Sequence, residues 1–341
     1  MIREGEVRLS ASGAFYNPAM AFNRTLSALA VEVLKPEQLL DGFCASGCRG
    51  LRYAVEGGAK KVTLVDYSEK ALKAAKANLK ANGVKAEVVR DEFNRFCYSG
   101  RKFDFVEADP FGSPVPFIAA AINALKRRGT LSVTATDLAN LCSPAKARAA
   151  VCRRQYGAEP LHCDFTHEIA LRILVGKICR EAAARDRAVQ PLACWHEKHY
   201  SKAIVALEES SAGADTSLAK LGFVSFNPKT LDRREGCVKG WKIGGPLWAA
   251  DSCDSAFLKA MEKNAEPRHK AFLETLRCEN GLPPFNWDVH VLADQKGWES
   301  PRTLDVVQRL RAKGYRAVRS HYSGTTIKTN APLKVLERAL H

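Results

Sequence analysis

The chain has 341 residues, 46% hydrophobic and 26% charged, an ordinary soluble globular composition and long enough for two domains. Its formal net charge is +15, from 52 basic and 37 acidic residues, an excess that favours a polyanionic partner such as nucleic acid. No apolar run reaches the roughly 18 residues of a membrane span, Met1 to Leu9 has no signal-peptide core, and the 11 cysteines include no C-x-x-C pair. A cytoplasmic protein with free thiols and no membrane contact is therefore expected.

From Gln38 to Ala135 short apolar runs alternate with helical periodicity. LLDGF predicts a strand, CASGCRG (Cys44 to Gly50) a glycine-containing turn, and Arg52 to Glu56 a helix. VTLVD, Val62 to Asp66, predicts a second strand. SEKALKAAKANLKANG predicts a helix with Ser68 as N-cap, Leu72, Ala75 and Leu79 on one face, and Gly83 as its stop. AEVV, FDFVEA and TLSVTA supply three more strands. This β-α-β order predicts a doubly wound, mainly parallel sheet. Ala203 to Leu207 is a further strand-like run, and EESSAGADTS (Glu208 to Ser217) reads as a linker, which puts a domain boundary between residues 210 and 211. The end of the chain, Pro301 to His341, holds nine Lys/Arg against Asp305 and Glu337, a strongly basic segment.

In a doubly wound sheet, ligands bind at the carboxyl ends of the strands. Gly42, Gly47 and Gly50 can let a ligand approach the first turn, and Asp66, ending the second strand, can accept ribose hydroxyls. The G-x-G-x-x-G spacing of nicotinamide enzymes is absent, which counts against an oxidoreductase. FDFVEA runs straight into Asp109-Pro110-Phe111-Gly112. A carboxylate and its neighbouring carbonyl can accept from an exocyclic amino group, an adjacent ring can stack on the base that carries it, and Pro110 stiffens the turn. The plainer alternative is a polar strand end with a tight turn. Cys44 and Cys48 read as packing thiols, and His167-Glu168 as a structural helix start.

The stretch DPFGSP, Asp109 to Pro114, resembles the catalytic motif of the S-adenosylmethionine-dependent tRNA guanine-26 N2-dimethyltransferases. FYNPAMAFNR (Phe15 to Arg24), DGFCASGCRGLR (Asp41 to Arg52), HEIALRILVGKICREAA (His167 to Ala183), GGPLW (Gly244 to Trp248) and GYRAVRSHYSGTTIKTNAP (Gly314 to Pro332) resemble further blocks of the family, in order, from about residue 13 to 335. The resemblance implies a Rossmann-like class I methyltransferase domain, residues 1–210, and a C-terminal α+β tRNA-binding domain, residues 211–341. It implies cofactor contacts from Arg24, Arg49 and Asp66, with Asp91 or Glu92 near the adenine. It also implies a guanine held between Phe15 and Phe111, with Asp109 and Pro110 at its amine. Arg316, Arg319 and Lys328, in the matching tail, become candidate phosphate contacts. Many family members carry two C-x-x-C pairs before GPLW; only Cys237 stands there in this chain, so no structural zinc is expected.

The expected activity is dimethylation of guanine 26 in tRNA. Monomethylation or a neighbouring guanine is the close alternative. A protein or small-molecule amine methyltransferase would not need the basic C-terminal segment, and a non-catalytic tRNA-binding protein would not need Arg24, Asp66 and Asp109 together. A monomer is expected.

Overall fold

The computed structural model describes residues 1–10 and 13–341. Seven strands form the central sheet: β1 (Gln38–Gly42), β2 (Lys61–Asp66), β3 (Glu87–Arg90), β4 (Phe103–Ala108), β5 (Leu125–Ala135), β6 (Arg187–Glu197) and β7 (Tyr200–Glu209). Their order is β3-β2-β1-β4-β5-β7-β6. The first five pair in parallel, while β7 runs antiparallel to both β5 and β6. This is the doubly wound, Rossmann-like methyltransferase sheet expected from the sequence. The strand order reverses at β1 and β4, so the carboxyl ends of these two strands flank the switch-point crevice.

Local chemistry accounts for the elements around that crevice. The helix Glu69–Ala81 begins where the Ser68 hydroxyl accepts from the Ala71 N–H at 3.3 Å, and it stops before Gly83, which takes φ +65°. Leu72, Ala75 and Leu79 pack into the core beside β2. The helix Cys48–Val55 begins earlier than the sequence predicts, directly after Gly47 in the left-handed region at φ +74°. A Cβ on Gly50 would lie 2.2 Å from the Leu64 side chain, so the helix can approach β2 only with glycine there.

The C-terminal part is α+β. Leu221–Phe226 pairs with Arg233–Glu235 and Lys242–Trp248, and Thr326–Thr329 pairs with Trp287–Asp288 and Ala317–Arg319. The long helix Thr166–Ala183 lies between β6 and the strand Lys242–Trp248, with Gly176 allowing close approach to Leu247. One hydrophobic cluster continues from Leu40 to Leu340, so apolar packing joins the two parts.

The stretch Glu208 to Ser217 is not a loose linker. It finishes β7 and enters the helix Ser211–Leu218, capped by Ser210, whose hydroxyl accepts from Gly213 N–H at 3.0 Å. Ser217 accepts from the Val189 N–H at 2.9 Å and ties this helix to β6. A Cβ on Gly213 would stand 2.7 Å from that of Ala188. The small residues that resemble a linker permit close packing, and a helix beyond residue 210 therefore covers the first sheet.

Candidate active site

A cavity of about 670 Å³ opens at the carboxyl ends of β1 to β5. All nine expected catalytic and cofactor residues line it: Phe15, Arg24, Arg49, Asp66, Asp91, Glu92, Asp109, Pro110 and Phe111. Its size is within the roughly 300–1,000 Å³ of small-molecule sites.

The cofactor side is built on the turn after β1. Phe43 and Ala45, at φ +62° and +46°, hold left-handed conformations unusual for residues with side chains, and Gly47 completes the turn. Asp66 is oriented by two backbone donors, Ala45 N–H and Ser68 N–H, each at 2.9 Å. At the next strand end, the Asp91 carboxylate accepts from Arg95, and Glu92 caps the helix Phe93–Cys97 by accepting from the Arg95 N–H at 2.9 Å. Arg24 donates through Nε and Nη2 to Glu4 and through Nη2 to the Asn17 carbonyl. Its Nη1 makes no hydrogen bond among the described residues, leaving a donor beside the cavity. Burial pushes the Glu4 carboxyl up, but Arg24 and Arg52 outweigh it and hold the group at about 2. These oriented acids at two adjacent strand ends and the arginine donor fit an adenosyl group carrying an amino-acid tail.

Asp109 follows β4 and pairs with Arg49, which also donates through Nη1 to Asn23, Ser27 and Tyr53. The Asp109 side chain keeps 19% exposure toward the cavity. Burial favours its neutral form, but Arg49, then Lys202, and the nearby Thr134 hydroxyl hold it below the ordinary carboxylate value. Pro110 is buried, and Gly112 is bonded twice to Thr136: its N–H donates to Thr136 Oγ1 at 2.8 Å, and its carbonyl accepts from Thr136 N–H at 3.0 Å. The loop after β4 is thus fastened to the end of β5. Phe15 and Phe111 are 53% and 76% exposed and meet edge to face, centroids 4.6 Å apart. A base stacked between them needs two gaps of roughly 3.5 Å, so the rings must part to admit one.

The expected RNA contacts fare differently. Arg319 is exposed and enters no ion pair among the described residues. Arg316 is also exposed, but its guanidinium donates to the carbonyls of Gly281 at 3.0 Å and Asn280 at 3.2 Å. Lys328 corrects the sequence reading: it is 4% exposed and pairs with Glu168 at 2.9 Å and Glu279 at 3.6 Å. A sealed ammonium between two carboxylates has no path to a phosphate. His167 and Glu168 begin the helix Thr166–Ala183, where Glu168 anchors this ion network and the His167 ring stacks on His196. Cys44 and Cys48 are buried core thiols. Cys237 and Cys278 are exposed and Cys253 is buried; no group of three or more metal-ligating side chains occurs among the described residues.

Sequence reasoning passed over Glu4, Asn23, Tyr53, Glu107, Thr136, His199 and Lys202. Thr136 and His199 line the cavity. Glu107 and Lys202 are fully buried beneath Asp109. A charged residue inside an otherwise apolar strand, as in FVEA and YSKAIVAL, was the available signal for both.

The profile of a family described as N2,N2-dimethylguanosine tRNA methyltransferase matches residues 3–341. A tRNA (guanine(26)-N(2))-dimethyltransferase of Thermococcus kodakarensis is 37% identical to this chain, covering 98% of it and 94% of the relative. Its namesake from Methanoculleus marisnigri is 39% identical, covering 96% and 91%. The solved structure of Trm1 from Pyrococcus horikoshii with S-adenosyl-L-methionine has a TM-score of 0.93 and 32% identity, covering 99% of each chain.

Proposed function

The chain belongs to the N2,N2-dimethylguanosine tRNA methyltransferase family, and from that membership we propose that it dimethylates the N2 amine of guanine 26 in tRNA, using S-adenosyl-L-methionine and the residues of the β1–β5 cavity. The observation that carries the residue assignment is the Asp109 carboxylate, paired with Arg49, open to the cofactor-sized cavity and beside two exposed aromatic rings.

When bound, the cofactor supplies an electrophilic methyl group on a sulfonium. Asp66 would accept from the ribose hydroxyls, Asp91 and Glu92 would stand on the adenine side, and Arg24 and Arg49 would hold the amino-acid carboxylate. Phe15 and Phe111 stack on the two faces of the guanine after it leaves the RNA stack, which costs a few kcal/mol. Asp109 and the Pro110 end of the turn orient the amine. Guanine N2 is a weak nucleophile because its lone pair is delocalised into the ring. Asp109 accepts from one N–H, aims the nitrogen at the methyl, and offsets the positive charge that develops on nitrogen. One N–H remains after the first transfer, so a second can follow.

RNA contact is proposed for Arg319, the outer face of Arg316, and the helix Lys146–Tyr156. That helix carries Lys146, Arg148, Arg153 and Arg154 and no acid. Its last residue, Tyr156, donates to Asp137 at 2.7 Å and accepts from Ser113 at 3.3 Å, which ties a basic face to the catalytic loop. All nine site residues come from one chain, so a monomer suffices. No helix among the described residues is long and apolar enough to cross a membrane.

The test is methylation of an unmodified tRNA transcript with labelled cofactor, followed by nucleoside mass analysis. N2,N2-dimethylguanosine at position 26, absent when that guanine is replaced by adenine, is the expected result. Product at another guanine would overturn the site specificity, and no incorporation into any tRNA would overturn the reading.

A further inference from the structure

Behind Asp109 lies a chain of polar side chains closed off from solvent. Glu107 and Asp109 are two residues apart on one strand path, so their side chains fall on the same face of the sheet. Glu107 has both oxygens engaged: Oε2 accepts from the Tyr53 hydroxyl at 2.6 Å, and Oε1 from the Lys202 ammonium. The Arg49 guanidinium is 3.9 Å from the same Oε1. Lys202 is opposite Thr134 in the β5–β7 ladder and donates to its hydroxyl at 3.1 Å. Asp109 in turn pairs with Arg49, the same guanidinium that reaches Glu107. Both Glu107 and Lys202 side chains have no solvent exposure, whereas Asp109 opens onto the cavity. The network therefore has its outlet at the site.

Burying a lysine is costly, by several kcal/mol for an ion taken out of water, and an apolar side chain could fill the same space. What an apolar side chain could not supply is a positive charge behind the carboxylate that faces the base. We propose that Lys202 is a positioning residue for methyl transfer: through Glu107 and Arg49 it fixes Asp109 as an oriented carboxylate and resets it to that form between the two methylations. This rests on the reading of Asp109 as the acceptor for the guanine amine. In each transfer the methyl–sulfur bond breaks with its electron pair left on sulfur, and a carbon–nitrogen bond forms from the N2 lone pair. The N2 proton passes to Asp109. For a second round that proton must go on to solvent, so that the same oxygen meets the remaining N–H as an acceptor. Arg49 and Lys202 both favour that loss. The wider setting includes Asp41, held up at about 7 by burial and accepting from Gly50 N–H at 2.8 Å, the buried hydroxyls of Tyr53 and Tyr200, and His199 on the cavity wall. These groups are unchanged in a Lys202 variant, so a comparison with the wild type isolates the lysine.

The experiment compares wild type, Lys202→Met, Thr134→Val and Asp109→Asn by single-turnover methylation of the tRNA transcript between pH 4 and 9, alongside calorimetric binding of S-adenosyl-L-methionine and tRNA. Removing a nearby positive charge raises a carboxyl pKa by about 1–3. Lys202→Met is therefore expected to move the acid limb of the rate profile upward by at least about one pH unit. At low pH the rate should fall about tenfold for every pH unit by which the limb has moved. It should recover as pH rises, with both ligands bound within about twofold of wild type. Dimethylated product should give way to monomethylated product at the acid end. Thr134→Val, nearly isosteric, should move the limb in the same direction by less and serves if Lys202→Met does not fold. A profile that superimposes on the wild type, or a loss independent of pH, would make these residues merely structural and overturn the proposal. Wild-type rates in Asp109→Asn would instead overturn the underlying reading of Asp109.

Discussion

Lys202 with Glu107, and Lys328 with Glu168, are two buried ion pairs built from the same chemistry in two places. The first lies under the carboxyl ends of β4 and β5 and ends in Asp109, which opens onto the cavity. The second lies where the helix Thr166–Ala183 meets the C-terminal sheet, and it closes on itself. Glu168 accepts from Arg172, from Lys328 and from both Asn286 nitrogens, all between 2.8 and 2.9 Å, and Glu279 takes His321 at 2.8 Å. Arg172 also donates to the Trp248 and Ala250 carbonyls at 2.8 Å. Burial and pairing alone do not distinguish a site from an anchor. The distinction is whether one acid of the network faces a space that a ligand can enter.

Neutralising the acid with the outlet is expected to have the largest effect. Asp109→Asn keeps the shape of the side chain but removes the charge that accepts from N2 and offsets its developing cation. A fall of about a thousandfold in methyl transfer is expected, with cofactor affinity by calorimetry and a cooperative melt retained. Activity within about tenfold of wild type would show that Asp109 belongs with Glu168, as an anchor.

Cutting the closed network should reverse that pattern. Lys328→Met leaves Glu168 and Glu279 buried with fewer cationic partners, and breaking such a pair costs about 3 kcal/mol or more. Urea unfolding should report that loss, while the salt dependence of tRNA binding by the folded fraction stays the same. A stable variant with a shallower salt slope would return Lys328 to the RNA surface.

The same contrast explains which features were legible in the sequence. The helix after Ser68, the parallel strands and the Asp109 turn were readable because each is written locally, as a cap, an apolar run or a strand ending in a distinctive turn. Lys328 was misread because Thr326 to Thr329 is buried at all four positions, and a strand covered on both faces has no alternation to mark a basic residue as internal. Its partners Glu168 and Glu279 are distant in sequence, so only the fold brings them together. Glu107 and Lys202 share that obstacle, being 95 residues apart. Glu208 to Ser217 misled by composition, because small residues serve close packing as readily as they serve a linker.

The aromatic pair at the outlet has no counterpart in the closed network. Phe111 is largely exposed and touches Phe15 only edge to face, so Phe111→Ala should leave the melting temperature nearly unchanged. Stacking on a displaced base is worth about 1–3 kcal/mol. kcat/KM for tRNA should fall by about 10- to 100-fold, with cofactor binding intact. A destabilised variant with normal kinetics would make Phe111 a packing residue.

The smallest effect separates two cations of one basic tail. Arg319 and Lys328 lie nine residues apart in the same antiparallel pair, where Arg319 is opposite Ile327 and Val318 opposite Lys328. Arg319 is the last residue of its strand and is exposed there, whereas Lys328, inside a strand buried at every position, is held in the junction. An exposed guanidinium with no carboxylate partner is solvated in the free protein and can exchange that water, with release of a counterion, for a phosphate. Arg319→Ala should therefore leave stability within about 0.5 kcal/mol, weaken tRNA binding modestly, and lower the slope of log affinity against log salt by about one. If that slope does not move while it does in Arg154→Ala, the backbone contact belongs to the basic helix beside the catalytic loop, and the outward face of the C-terminal strands is only a solvated surface.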